Sequence, residues 1–148
     1  ARRRARRRMP QRHDLTGGDM AEKTIIRTES APAPFQGAPY NQAVRMGDFV
    51  FVAGQLGLRP GESQMVGDGI AEQTEQVLTN LAAILEEAGS GMGKLVKTTV
   101  FLTNLDDFAA MNEVYARHVG DRPPARSTVE VSRLPSGALV EIEAIAHL

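Results

Sequence analysis

Two charged side chains near the C-terminal end of the chain lie in segments that otherwise have the pattern of β-strands. Arg126 follows a pair of prolines, and Glu141 begins an alternation of acidic and apolar residues. The planar guanidinium group of an arginine can bind a carboxylate through two parallel hydrogen bonds. A glutamate in the same pocket could position or activate a water molecule. The two residues therefore suggest a site for a small organic acid, with hydrolysis as one chemistry of that site.

Both residues also have a structural explanation. Arg126 alternates with Thr128 on one side of its strand, where it could form an ion pair with Glu141 or Glu143 of the next strand. Glu141 and Glu143 share one strand face, a pattern that alternation alone would assign to a solvated surface. The residue pattern leaves the structural and the functional interpretation of Arg126 equally open.

Three further residues carry weaker signals of a binding site. Asn112 lies among the apolar residues of a predicted helix, and a buried amide there either holds a loop or faces a ligand. Tyr40 follows a bend at a proline and would present its hydroxyl group to a pocket. Gly54 comes at the end of a predicted strand, where the absence of a side chain lets a ligand approach the main chain.

The composition excludes several classes of site. The chain has 148 residues, no cysteine and three histidines that are scattered singly. Disulfides, thiol chemistry and a cysteine or histidine metal cluster are therefore not expected, and the sequence assigns no metal ligand. No apolar run approaches the ~20 residues that a membrane-spanning helix needs. We expect one domain in a soluble, cytoplasmic protein.

The charge is distributed unevenly along the chain. Residues 1–19 contain seven arginines and two aspartates, which leaves a net charge of −6 on residues 20–148. We predict that residues 1–19 form a disordered extension and that residues 20–148 form the folded domain. A nucleic-acid-binding arm or a targeting segment are the alternatives for the extension. The acidic body argues against nucleic acid as a partner.

Hydrophobic periodicity predicts an α+β body with the element order β-β-β-α-β-α-β-β. One sheet would carry two helices on one face. The predicted strands are 23–27, 42–46, 49–53, 95–102, 126–132 and 139–146, and the predicted helices run from 70 to 88 and, after a cap at Asn104, from 105 to 119. The segments 49–53 and 142–146 are apolar or small on both sides, so the second sheet face should meet another copy of the chain.

Five segments have a distinctive composition: GAPYNQA at 37–43, FVAGQ at 51–55, VKTTVFL at 96–102, PPARS at 123–127 and VEIEAIA at 140–146. Together they resemble the Rid (YjgF-like) family, the reactive intermediate deaminases, and the match is collinear over residues 22–148. The resemblance implies a chorismate-mutase-like fold with a mixed sheet, and a homotrimer whose sheets form a central barrel with ligand clefts between the subunits. It implies a 2-iminobutanoate/2-iminopropanoate deaminase that uses no cofactor.

The implied reaction is hydrolysis of the enamine and imine intermediates that pyridoxal-phosphate-dependent dehydratases release. Substrates such as 2-aminoacrylate and 2-aminocrotonate would yield 2-keto acids and ammonia. By position in the family motifs, Arg126 would bind the substrate carboxylate and Glu141 would hold the attacking water. Two other functions stay open: a non-enzymatic protein that binds small carboxylates in the same cleft, and an endoribonuclease, an activity also ascribed to this family.

The resemblance also implies roles for the three residues that carry weaker signals. Tyr40 and Asn112 would line the cleft, and Gly54 would contribute main-chain contacts. Thr128 occupies a substrate-binding position where many family members have cysteine, and Ala53 stands where many have serine. Since this chain has no thiol, its chemistry cannot require one, and the two departures bear on substrate preference and rate.

Overall fold

The computed structural model describes residues 22–148, and the predicted arginine-rich extension, residues 1–19, lies outside the described residues. Six strands and two α-helices follow one another in the predicted order. The strands are β1 (Thr24–Ile26), β2 (Ala43–Met46), β3 (Phe49–Gln55), β4 (Leu95–Leu102), β5 (Ala125–Glu130) and β6 (Val140–His147), and the helices are α1 (Ile70–Glu87) and α2 (Phe108–Val119). The element order and the positions of all eight elements are confirmed within a few residues.

The six strands form one mixed sheet in the order β1-β2-β3-β6-β4-β5. All pairs are antiparallel except β4 with β5, which are parallel because α2 carries the chain back across the sheet between them. The C-terminal strand β6 is thereby inserted at the centre of the sheet, between β3 and β4. The backbone of β6 is hydrogen-bonded to a strand on each side, which fixes the positions from which its side chains project.

Both helices pack on one face of the sheet and enclose the core. The apolar stripe of α1 is fully buried, as are the facing residues of the central strands, for example Val100 and Ile142. Burying each such side chain stabilises the fold by about 1.5–3 kcal/mol. The predicted cap at Asn104 is present, but it serves a short 3₁₀ turn at 105–107, where the Asn104 side chain accepts a hydrogen bond from the amide of Asp106 at 2.9 Å. The α-helix begins only at Phe108.

The opposite face of the sheet carries large apolar side chains that the described residues leave exposed. Phe49 and Phe51 are each 47% exposed, and Met46 on the neighbouring strand is 44% exposed. The prediction that the helices cover only one sheet face is confirmed. We call this second surface the open face.

Candidate active site

A cavity of about 410 Å³ opens beside Glu141 near the N-terminal end of β6. Tyr40 and Gly54, two of the other predicted site residues, line the same cavity. Three elements meet there: the start of β6, the end of β3 and the loop that precedes β2. A larger cavity of about 610 Å³ beside the segment 132–139 contains none of the predicted site residues, so the smaller cavity is the candidate site.

A β-bulge places Gly54 against Glu141. In the pairing of β3 with β6, Val52 lies opposite Ala144 and Gln55 opposite Ile142, so β3 has one residue more than β6 between these two pairs. A Cβ atom at Gly54 would lie 2.5 Å from Oε1 of Glu141 and 2.9 Å from its Cγ. A side chain at position 54 would displace the carboxylate, so the glycine leaves room for it.

The pKa of the Glu141 carboxyl group is raised above its ordinary value. Burial is the main cause, since it removes water from the charged form, and the like charge of Glu143 on the same strand face adds to it. A carboxylate that water solvates poorly is a stronger base than one on the surface. Glu141 is suited to accept a proton from a bound water molecule.

The loop before β2 is held by two side chains. The Tyr40 hydroxyl oxygen accepts a hydrogen bond from the amide of Phe35 at 2.6 Å, so its own hydrogen stays free to donate toward the cavity. The buried amide of Gln42 donates to the carbonyl oxygens of Thr28, Ala31 and Pro32 and accepts from the amide of Thr28. The sequence analysis did not single out Gln42, which lay at the start of a predicted strand and carried no signal of this role.

The predicted carboxylate-binding residue Arg126 lies on the helix-covered face. Its guanidinium carbon is 4.7 Å from the ring centroid of Tyr115 and 5.5 Å from that of Phe108, both on α2. The Tyr115 hydroxyl group in turn forms a 2.6 Å hydrogen bond with the hydroxyl group of Thr98 on β4. Cation–π contacts of this kind orient a guanidinium group while leaving its N–H donors available. The sequence analysis did not identify a role for these two aromatic residues.

Asn112 lies on the same helix, between these two aromatic residues in sequence. Its Oδ1 atom is buried and has no hydrogen-bond partner among the described residues. An orphaned buried amide oxygen of this kind indicates an absent partner. Thr128 is the next residue after Arg126 on the covered side of β5, where it pairs with Val100 of β4.

The predicted site residues therefore form two groups within one chain. Arg126 pairs with Thr98, whose side chain faces the helices, whereas Glu141 pairs with Phe101 and belongs to the open face. An ion pair between Arg126 and a glutamate of the next strand was one sequence-based interpretation, and it is wrong. The neighbour of β5 is β4, and the ion pairs among residues 22–148 are Arg59–Glu62 and Glu75–His118.

Within the described part of the chain, no group of three or more histidine, aspartate or glutamate side chains is arranged to hold a metal ion. Also within residues 22–148, no helix has the length and apolar character that crossing a bilayer requires.

Comparison with known proteins decides the family. A family model described as Endoribonuclease L-PSP matches residues 28–148. The chain belongs to this family, which is the Rid or YjgF family. The predicted resemblance is thereby confirmed, and the match excludes the arginine-rich segment.

Curated relatives in the Rid family differ in how specifically they are named. A RutC family protein of Pyrococcus abyssi is 51% identical over 125 residues, which cover 84% of this chain and 97% of that protein. A protein of Capra hircus named 2-iminobutanoate/2-iminopropanoate deaminase is 43% identical over 124 residues, covering 84% of this chain and 89% of its own length.

Solved Rid-family structures share the fold. A Rid protein of unknown function from Yersinia pestis superposes with a TM-score of 0.81 at 44% identity and covers 86% of this chain and 100% of its own. E. coli TdcF, solved with bound serine, superposes with a TM-score of 0.78 at 40% identity and covers 84% of this chain and 98% of its own. The similarity therefore extends over nearly the whole length of both solved structures.

Proposed function

We propose that this protein hydrolyses 2-imino acids and their enamine tautomers to 2-keto acids and ammonia. The proposal rests chiefly on Glu141, a half-buried carboxylate of raised pKa at the edge of a cavity, in a chain 43% identical to proteins named as imine deaminases. Such substrates are small carboxylates with one electrophilic carbon, which requires an anion-binding group and a base.

The reaction needs one water molecule and no redox partner. Glu141 takes a proton from water while the oxygen forms a bond to the imine carbon, which gives a tetrahedral carbinolamine. The protonated Glu141 returns this proton to the amine nitrogen. The C–N bond then breaks as the hydroxyl proton passes to Glu141 and from there to the departing ammonia, so the protonated imine and water give the keto acid and an ammonium ion. The carboxylate ends in its initial state.

Arg126 would bind the carboxylate of the substrate, with Asn112 and Thr128 beside it. Because Arg126 and Glu141 lie on opposite sheet faces of one chain, we propose that each complete site combines the two groups from different copies. Contact between copies through the open face would bury Phe49 and Phe51, and a homotrimer with the sheets as a central barrel satisfies both conditions. We further propose that the substrates come from pyridoxal-phosphate-dependent dehydratases.

The decisive experiment is a coupled assay. Threonine dehydratase releases 2-aminocrotonate, and added wild-type protein should speed the appearance of 2-ketobutyrate beyond hydrolysis by the buffer. The Arg126→Ala variant should lose about a hundredfold or more in kcat/KM, because it lacks a charged two-point contact to the substrate. Arg117→Ala, which removes an exposed arginine of α2, is the matched control and should behave as wild type. Equal rates for wild type and Arg126→Ala would disprove the assigned role.

A binding protein without catalysis is the second candidate, favoured by the bound serine in the TdcF structure. It predicts that calorimetry detects keto-acid binding that depends on Arg126, while the coupled assay stays at the buffer rate. An endoribonuclease would accord with the family description. The acidic body argues against it, and RNA cleavage that survives removal of residues 1–19 but not Arg126→Ala would establish it.

A further inference from the structure

We propose that the preferred substrates are 2-imino acids with a large apolar side chain, which the cavity beside Glu141 accommodates. This inference rests on the proposed deaminase function and specifies its substrate class. The observation that supports the inference is the lining of the cavity. Apart from Glu141 and a few polar residues, the lining is apolar, and we call five of its residues the apolar wall: Phe35, Ala38, Ala53, Leu56 and Leu58.

The polar groups around the cavity are largely engaged elsewhere. The amide of Gln42 is fully used by four hydrogen bonds to the loop before β2. The amide nitrogen of Gln55 donates to the carbonyl oxygen of Ala53 at 3.1 Å. The Tyr40 hydroxyl oxygen is held by the amide of Phe35. The Glu141 carboxylate and the Tyr40 proton remain for the reacting end of the substrate, and the Gln55 amide keeps its second N–H and its carbonyl oxygen.

The direction of the substrate's side chain follows from its three substituents. The carboxylate must reach the guanidinium group of Arg126, and the imine carbon must lie within reach of the water held by Glu141. With the imine carbon beside Glu141, the surface that the cavity presents to the remaining substituent is the apolar wall. A methyl or methylene group would leave most of this surface in contact with water.

The cavity is large compared with such a small group. Its volume of about 410 Å³ corresponds to roughly 14 waters at about 30 Å³ each. An apolar side chain would displace water from apolar surface, whereas a polar side chain would lose hydrogen bonds that the wall cannot replace. Each methylene group that fills such a pocket changes kcat/KM by about 10- to 200-fold.

Leucine and asparagine provide a matched pair, because their side chains have nearly the same shape and differ in polarity. An L-amino acid oxidase generates the corresponding imines in situ, with its flux equalised by oxygen uptake, with catalase present and with semicarbazide competing for the imine. The alanine imine serves as the small substrate. We expect kcat/KM for the leucine imine to exceed that for the asparagine imine at least tenfold, and to exceed that for the alanine imine.

A substitution that fills part of the cavity tests whether the apolar wall determines the substrate preference. Ala38→Leu adds a side chain at a partly exposed loop position with an extended backbone that any residue adopts. It should lower the ratio of kcat/KM for the leucine imine to that for the alanine imine at least tenfold. Ala116→Leu, on the exposed side of α2, is the control and should leave the ratio unchanged. Thermal melting of each variant establishes that it is folded.

The two proposals fail in different ways. If wild-type protein accelerates the hydrolysis of none of the three imines, both the proposed function and this inference are wrong. If it accelerates the alanine imine but acts on the asparagine imine as well as on the leucine imine, the deaminase function stands and the inference is overturned. An unchanged ratio in Ala38→Leu would exclude the apolar wall as the determinant.

Discussion

Glu141 and Glu143 share one strand face, two residues apart, and only their surroundings distinguish them. Glu143 is exposed and remains in contact with water. Glu141 is half-buried because the bulge in β3 brings Gly54 against it and the loop before β2 closes over the other side. One carboxylate therefore loses water while the other supplies a like charge nearby. Burial and this neighbouring charge together raise the pKa of Glu141.

The raised pKa of Glu141 predicts the pH dependence of the reaction. As pH falls through this pKa, which lies above the ordinary value of 4.5, the base becomes protonated and kcat/KM should fall. Glu141→Gln should lower kcat/KM by about 10²–10⁴-fold and abolish the acid limb of the profile. Glu143→Gln is the matched control: it should keep the activity but move the acid limb to lower pH, since a like charge is removed. Identical acid limbs in wild type and Glu143→Gln would contradict the proposed effect of the Glu143 charge on the pKa of Glu141.

Gly54 tests how closely Glu141 is positioned. In Gly54→Ala the new methyl group would lie 2.5 Å from Oε1 of Glu141, so the carboxylate must move. The side chain is flexible and the fold should survive, but a displacement of about 1 Å can cost on the order of a hundredfold in kcat/KM. Gly93→Ala is the control, because nothing lies within 4 Å of the added methyl group. Wild-type kinetics in Gly54→Ala would argue that Glu141 need not occupy this position.

At the scale of elements, hydrophobic periodicity was sufficient to predict every strand and both helices. It could not predict the strand order, because periodicity reports which face is buried and carries no information on which strand is the neighbour. This is why an ion pair from Arg126 to the next strand in sequence was a reasonable expectation and a wrong one. The strand β6 pairs with β3 and β4, so β4 separates it from Arg126.

The sequence pattern also could not predict how the loops around the site are held in place. Three buried amides hold them: Gln42, Gln73 and Asn80 bond to main-chain groups that lie up to 66 residues away in sequence. A side chain that serves a distant backbone group leaves no periodic signal. The family motifs supplied the predicted site residues, and the arrangement of these residues in two groups became visible only in three dimensions.

Gln42→Leu should destabilise the element that closes the cavity. The substitution keeps the approximate size of the side chain but leaves three carbonyl oxygens and one amide without their partner. We expect a loss of about 2–4 kcal/mol in the free energy of unfolding, measured by urea denaturation at one fixed protein concentration. Gln64→Leu, at an exposed position, is the control and should change the stability by less than about 0.5 kcal/mol. Equal effects of the two substitutions would mean that the Gln42 network contributes nothing specific.

At the scale of the whole molecule, the proposed assembly would account for both the open face and the divided site. In it, the sheet that exposes Phe49 and Phe51 gains a partner, and Arg126, the proposed carboxylate-binding group on the other side of the sheet, gains a base from another copy. A head-to-tail contact between identical chains supplies both, and it closes into a ring when the rotation allows it. The fold alone does not bring the two halves together.

Mixing two inactive variants tests this arrangement directly. Arg126→Ala and Glu141→Gln should each lack activity alone, but co-expressed chains can form sites with the intact arginine of one copy and the intact glutamate of another. With random assembly at equal amounts, each half of a site is intact with a probability of one half, so about a quarter of the wild-type activity should return in the proposed head-to-tail ring. Sites built within one chain would always carry one defect, and the mixture would then stay as inactive as its parents.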